Sequence, residues 1–198
     1  HPRHPWRVLI DNLGFRNKLG FSPKGFTMNY LRATIALLIL SPVIMAEPTK
    51  RLAFGNMKFQ HAWEEKKQIV TNEYVELGQT LQNWQHMLAY RQYPGYTKPA
   101  TVINAYFRQI KPTETPAIYR KDESGNDMIF VFLMEAPDKS YMEFNIHRFT
   151  LESGMVRSYQ FAARKFRQDF DQLTAEIKNN RKFWIESVAK LNARSFEQ

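Results

Sequence analysis

The sequence predicts an α+β domain in which helices pack on an antiparallel meander sheet of five or six strands. Three observations indicate this fold. Turn-rich segments separate four successive strand patterns in the second half of the chain, one of those strands is apolar at every position, and the C-terminal segment has the apolar repeat of a long helix. With 43% hydrophobic and 14% aromatic residues, the chain can fill one ordinary core.

The N-terminal segment is predicted to lie outside this domain. Residues 28–32 form a short basic start, an apolar run of 13 residues follows over 33–45, and Ala46 precedes a polar stretch. This order is typical of a secretory signal peptide that is cut after Ala46. The run contains Pro42 and falls short of the roughly 20 apolar residues of a membrane span, so we expect no stable transmembrane anchor.

The chain is therefore expected to divide into three parts. Residues 1–27 form an upstream segment that does not belong to the native protein, residues 28–46 form the signal peptide, and residues 47–198 form a single α+β domain. This division predicts a periplasmic or secreted bacterial protein. The absence of Cys excludes a lipid-anchored lipoprotein, thiolate metal sites and a Cys nucleophile.

The positive charge of the chain is concentrated in the part that we expect to be removed. Residues 1–46 carry +5 of the total formal charge of +9, and residues 47–198 carry +4 with both signs interspersed. Nucleic-acid binding is normally accompanied by a clustered basic stripe, so no nucleic-acid partner is expected. A basic nucleic-acid or membrane-surface binder is an alternative if residues 1–46 are retained.

The first half of the domain is predicted to hold one strand and two helices. After a polar lead over 47–57, residues 58–77 alternate like a strand, and Gly78 ends the pattern. Thr80 is a suitable N-cap for a helix that ends before Pro94 and carries three apolar residues on one face, Leu81, Trp84 and Leu88. A second helix is predicted to begin at Pro99, with apolar residues at helical spacing: Val102, Ile103, Tyr106, Phe107 and Ile110.

The second half is predicted to be a four-stranded meander followed by a long helix. The strands cover 117–121, 127–135, 141–150 and 155–163, and Gly, Pro, Asp, Asn and Ser mark the turns between them. Met128–Met134 is apolar throughout, which favours a central strand covered on both faces. A long amphipathic C-terminal helix is indicated by one apolar stripe: Phe170, Leu173, Ile177, Trp184, Val188 and Leu191.

The run from Glu73 to Trp84 reads Glu-Tyr-Val-Glu-Leu-Gly-Gln-Thr-Leu-Gln-Asn-Trp. It resembles a motif of small exported bacterial proteins of uncharacterised function, in which a strand ends in Glu-Tyr-Val, a Gly follows and a helix opens with Asn-Trp. The order of elements also resembles the PsbP-like α/β/α sandwich. The resemblance implies an envelope protein that binds or assists another molecule, and it transfers no catalytic residue.

Glu143, Asn145 and His147 alternate along one predicted strand, so their side chains lie on the same face of the sheet. With Arg157 and Tyr159 from the following strand, they are candidates for a polar surface that binds a ligand or a partner. The simpler alternative is a solvated face, or one packed under the ends of helices.

Tyr93 and Tyr96 are candidate binding residues of a second kind. Together with Arg91 and Lys98 they form an aromatic and basic loop between the two predicted helices. Such loops can be recognition surfaces. A packed interhelical loop is the commoner interpretation.

No metal or other cofactor is expected, because His61, His86 and His147 form no closely spaced pair. The sequence also contains neither a Gly-x-Ser-x-Gly elbow nor a Gly-rich phosphate loop. The leading hypothesis is a non-enzymatic exported protein that binds an envelope protein or a small ligand. The alternative is a hydrolase-type enzyme whose site lies on the face of Glu143, Asn145 and His147.

Overall fold

The computed structural model describes residues 50–110, 112 and 115–196, which form one antiparallel sheet with a helix on each face. The predicted upstream segment and signal peptide lie outside the described residues. The eight strands are β1 (Arg51–Phe54), β2 (Met57–Lys66), β3 (Val70–Glu76), β4 (His86–Tyr93), β5 (Ala117–Lys121), β6 (Asp127–Glu135), β7 (Tyr141–Glu152) and β8 (Met155–Phe166). The two helices are α1 (Pro99–Ile110) and α2 (Phe170–Lys190).

The strand order is β1-β2-β3-β4-β8-β7-β6-β5, and all neighbours are antiparallel. The sheet thus consists of two four-stranded meanders that meet at the central β4–β8 pair. Helix α1 belongs to the connection from β4, at the centre, to β5, at one edge. Among the described residues, no helix is both long and apolar enough to cross a membrane.

A two-residue loop sets the register between β7 and β8. Ser153 and Gly154 both have positive φ angles, 52° and 76°, as a type I′ hairpin turn requires. The loop places Glu152 opposite Met155 and, further along the strands, Thr150 opposite Arg157. Because side chains alternate between the faces, this register decides which residues of β7 and β8 share a face.

Helix α2 covers one face of the sheet with the apolar stripe that its sequence predicts. Leu173, Trp184, Ile185 and Val188 are buried on this helix. The Trp184 ring centroid lies 4.8 Å from that of Phe161 on β8. This face holds the largest apolar cluster among the described residues.

Helix α1 covers the other face, over β6 and β7. Its residues Val102, Ile103 and Tyr106 are buried in a second apolar cluster. The partners of these residues include a group of strand residues: Met128, Phe130, Phe132 and Phe149. β6 is therefore covered on both sides, as its uninterrupted apolar sequence predicts.

The α+β class is confirmed, but the predicted strand and helix numbers are wrong. The sheet has eight strands rather than five or six, and the described residues contain two α-helices rather than three. The predicted first helix is absent: Leu81 lies in a turn, Trp84 lies in the irregular segment after it, and Leu88 belongs to β4. Thr80 does accept a backbone hydrogen bond, from the N–H of Asn83, but this bond closes a single turn.

The first two strands were also missed as separate elements. β1 lies within the predicted polar lead over 47–57, where Leu52 and Phe54 alternate with exposed residues. The single strand predicted over 58–77 is two strands, β2 and β3, joined by a short turn. The predicted helix at Pro99, the meander from β5 to β8 and the C-terminal helix are present.

Candidate functional site

A group of buried polar side chains lies on the sheet face under α1. We call it the polar cluster; its members are Glu73 of β3, Arg91 of β4, Glu143, Asn145 and His147 of β7, and Gln160 of β8. None of these residues is more than 3% exposed. A polar group without solvent must find a partner or destabilise the fold, so each contact in the cluster has an energetic consequence.

Gln160 connects the two sides of the polar cluster. Its Nε2 donates a hydrogen bond of 2.7 Å to Asn145 Oδ1, and its Oε1 accepts one of 2.8 Å from Arg91 Nη1. Arg91 Nη2 lies 3.8 Å from Glu73 Oε1. The chain of contacts therefore runs from β3 to β7 across four adjacent strands.

The two carboxyl groups of the cluster titrate near physiological pH. Burial raises the pKa of Glu73 to about 7, and the positive charge of Arg91 opposes the shift only in part. Burial likewise raises the pKa of Glu143 to about 7 against the opposing charge of Arg164. Both groups can therefore gain or lose a proton near pH 7.

His147 is the member whose hydrogen-bonding capacity is least used. Both ring nitrogens are buried and have no hydrogen-bond partner among the residues that the structure describes. The ring stacks on Phe149 at 4.1 Å, and the edge of the Tyr106 ring meets it at 4.6 Å. Burial, together with the charge of Arg91, lowers the pKa of His147 well below its usual value, so the imidazole is neutral.

A cavity of about 150 Å³ lies beside α1 on the same face of the sheet. Its lining residues are Ile69, Tyr93, Tyr96, Thr101, Val102, Ala105, Tyr106 and Gln109. The walls are mostly apolar and aromatic. Tyr106 belongs both to the wall of the cavity and to the surroundings of His147, so this one residue connects the cavity with the polar cluster.

The predicted polar surface is only partly present. Glu143, Asn145 and His147 share one face, but they are buried rather than solvated. Arg157 and Tyr159 lie on the opposite face, because the register of the Ser153-Gly154 hairpin pairs them with Thr150 and Arg148. There both donate hydrogen bonds to Glu152 Oε2, at 3.3 Å and 2.7 Å.

The other two candidates, Tyr93 and Tyr96, both line the cavity. The hydroxyl of Tyr93 lies 3.3 Å from Ser158 Oγ. Their loop connects β4 to α1, and not two helices as the sequence predicts, because residues 86–93 form a strand.

Glu73, Gln160 and Tyr106 were not among the predicted site residues, and Arg91 was named only as part of the predicted loop, whereas it lies in β4. Two sequence signals could have identified Glu73 and Gln160. Glu73 is a charged residue inside a predicted strand and is followed by Tyr74 and Val75, a context in which a buried polar group occurs. The two-residue Ser-Gly turn pairs His147 with Gln160, and so places Gln160, not Tyr159, on the face of His147.

A second titratable group, centred on His86, lies where the 77–85 loop, β4 and α2 meet. His86 Nδ1 lies 3.0 Å from Glu76 Oε2, and Nε2 contacts Glu176 Oε1. Lys165 Nζ is 3.4 Å from the other oxygen of Glu176. Burial alone would lower the pKa of His86, but hydrogen bonds to Glu176 and Glu76 and their charges outweigh it and raise this pKa to about 9.

The structure shows what several residues of the Glu73–Trp84 run contact. Tyr74 is buried against the α2 side of the sheet, while Glu73 belongs to the polar cluster. The Arg164 guanidinium stacks 4.0 Å from the Trp84 ring and donates a hydrogen bond to its backbone carbonyl. Within the part of the chain that the structure describes, no group of three His, Asp or Glu side chains is arranged to hold a metal ion.

A protein-family model matches residues 46–193. The chain belongs to this family. It is an uncharacterised bacterial family, and the match spans the whole sheet, both helices, the cavity and the polar cluster. No curated protein and no solved structure matches the chain. The motif likeness to exported proteins and the PsbP-like likeness remain predictions.

Proposed function

We propose that the protein is a non-enzymatic exported protein of the bacterial envelope that binds a small ligand in the cavity beside α1. The cavity is the observation that carries the proposal. A space of about 150 Å³ is large enough for a molecule the size of benzene. The walls formed by Tyr93, Tyr96 and Tyr106 suit the faces and edges of a ring. Its volume favours a small ligand over a protein partner.

Binding is better supported than hydrolysis at the same face. A general base must lie within hydrogen-bond reach of the proton that it removes. Among the described residues, neither ring nitrogen of His147 has a hydrogen-bonded nucleophile or carboxylate. Glu143, Asn145 and His147 are also no more than 3% exposed, so none of them faces the bulk water that hydrolysis would consume.

Ligand binding can be tested with toluene and ¹⁵N-labelled protein by NMR titration. We expect saturable shifts in residues around the cavity, such as Val102 and Gln109. Ala105→Phe fills the cavity and is expected to weaken toluene binding at least tenfold, because the ring would occupy the space of the ligand. Ala100→Phe, on the exposed side of α1, is the matched control and should bind like the wild type. The absence of saturable shifts in the wild-type protein would contradict the proposal.

Export has a separate test. The pattern over 28–46 predicts that a bacterial host expressing the chain from Met28 will deliver Glu47–Gln198 to the envelope fraction, and intact-protein mass spectrometry measures this mass. Ala46→Phe is expected to block the cut, since cleavage requires a small residue at this position. An uncleaved product confined to the cytoplasm would refute export.

A further inference from the structure

His147 is stabilised by ring contacts rather than by side-chain hydrogen bonds to the described part of the chain. Both of its nitrogens lie in the interior, and neither has a partner within residues 50–110, 112 and 115–196. A phenylalanine in the same aromatic surroundings would avoid this penalty, because an unpaired buried polar group destabilises a fold while an apolar replacement of similar shape does not. Such a group calls for an explanation. One explanation is a ligand that supplies hydrogen-bond partners for the His147 nitrogens.

The position of Tyr106 relates His147 to the cavity. The Tyr106 ring lines the cavity and makes a T-shaped contact with the ring of His147, with an angle of 89° between the ring planes. Tyr106 is therefore the residue that contacts both the space available to a ligand and the ring of His147.

The chemistry of the cluster limits what can bind there. A neutral imidazole offers one donor and one acceptor, and a hydroxyl group can satisfy either. The cluster contains both the Arg91 guanidinium and the carboxyl groups of Glu73 and Glu143, so a charged group of either sign would lie near a like charge as well as an opposite one. The cluster therefore favours an uncharged hydrogen-bonding group.

We propose that the ligand of the cavity is a ring that carries a neutral hydroxyl or similar group, and that this group hydrogen-bonds to His147 when Tyr106 turns aside. This inference rests on the proposed binding function. It adds the class of ligand and assigns His147 as the residue that selects it. Sites that hydrogen-bond a ligand hydroxyl discriminate strongly against an analogue without one.

Phenol and toluene form a matched pair of probes, since they have the same number of heavy atoms and nearly the same shape. A purely apolar cavity prefers toluene, because phenol must give up its hydrogen bonds to water. We expect the wild-type protein to bind phenol at least tenfold more tightly than toluene in the NMR titration. His147→Phe should reverse this preference, while His61→Phe, the same change on the opposite face, should keep it.

The outcomes separate the two proposals. If neither probe binds, the proposed function itself fails. If both bind and the wild type prefers toluene, the cavity function stands and the selection by His147 is overturned. A direct readout in the wild-type protein avoids reliance on the variant: the imidazole ¹⁵N resonances of His147 should shift with phenol and not with toluene. Equal shifts with both probes would also overturn the inference.

Discussion

Trp184→Ala is expected to lower the free energy of unfolding by about 3–5 kcal/mol, the usual cost of removing a buried tryptophan from a core. Trp184 is 3% exposed and packs between α2 and the sheet. Its ring centroid lies 4.8 Å from that of Phe161 and 6.1 Å from that of Phe144. Few other large side chains of α2 are buried, so the remaining contacts cannot close the cavity that alanine would leave.

The neighbouring residue gives the control for this prediction. Phe183 is 45% exposed on the same helix turn, so Phe183→Ala removes a ring of similar size with much less loss of buried area. We expect Phe183→Ala to cost less than half as much as Trp184→Ala. Urea denaturation followed by circular dichroism measures both values. Similar losses for the two variants would show that α2 is not anchored through Trp184.

Stability is expected to be highest near pH 5 and to fall continuously up to pH 9. Between pH 4.5 and 7 the fall comes from Glu73 and Glu143. Their folded pKa of about 7 exceeds the ordinary value of 4.5, so the folded state holds protons that the unfolded chain has released. Where the folded state binds more protons, raising the pH destabilises it.

His86 extends the fall to higher pH. Its folded pKa of about 9 exceeds the ordinary 6.5, because it lies between Glu76 and Glu176. Its contribution is complete below pH 6.5 and is lost as the pH rises through 9. At 1.36 kcal/mol for each pKa unit, the loss is about 3 kcal/mol. Below about pH 4.5 the fold loses stability again, since the contacts of Glu176 with His86 and Lys165 lower its pKa although burial opposes them.

Urea titrations at pH 5, 7 and 9 test this profile, and two variants separate its parts. Glu143→Gln should reduce the fall between pH 5 and 7 by about half, because Glu73 still contributes, and leave the alkaline loss intact. His86→Gln should do the reverse. A wild-type stability that is constant or rises between pH 5 and 9 would contradict the assignment of these groups.

The fold was predictable where the sequence has a visible period. The apolar steps of α2 and α1 and the turn residues between β5 and β8 gave those elements correctly. β4 was not predictable in this way, because it is buried on both faces and its run from Met87 to Tyr90 has no alternation. The spacing of Leu81, Trp84 and Leu88 predicted a helix. A turn followed by a strand can carry apolar residues at the same positions, and this is what the chain forms.

The candidate site was partly predictable for a different reason. Alternation along one strand correctly placed Glu143, Asn145 and His147 together, since it depends on local geometry alone. The residues that lie beside them on the neighbouring strand depend on the register between strands. For this reason Arg157 and Tyr159 were predicted on the same face but lie on the opposite one. Glu73 and Arg91 come from the other meander, and their approach to β7 follows from the β4–β8 pairing, which no local pattern reveals.

The strand order also determines how the chain can assemble. Within each meander the paired strands are neighbours in sequence, so their hairpins form from short-range contacts. The β4–β8 seam instead joins distant residues: Tyr93 pairs with Val156, and His86 pairs with Ala163. Closing so long a loop costs chain entropy before any contact offsets it, and such non-local pairing slows folding. The hydrogen bond between Arg91 and Gln160 crosses this seam. The polar cluster is therefore completed in the same step that joins the two halves of the sheet.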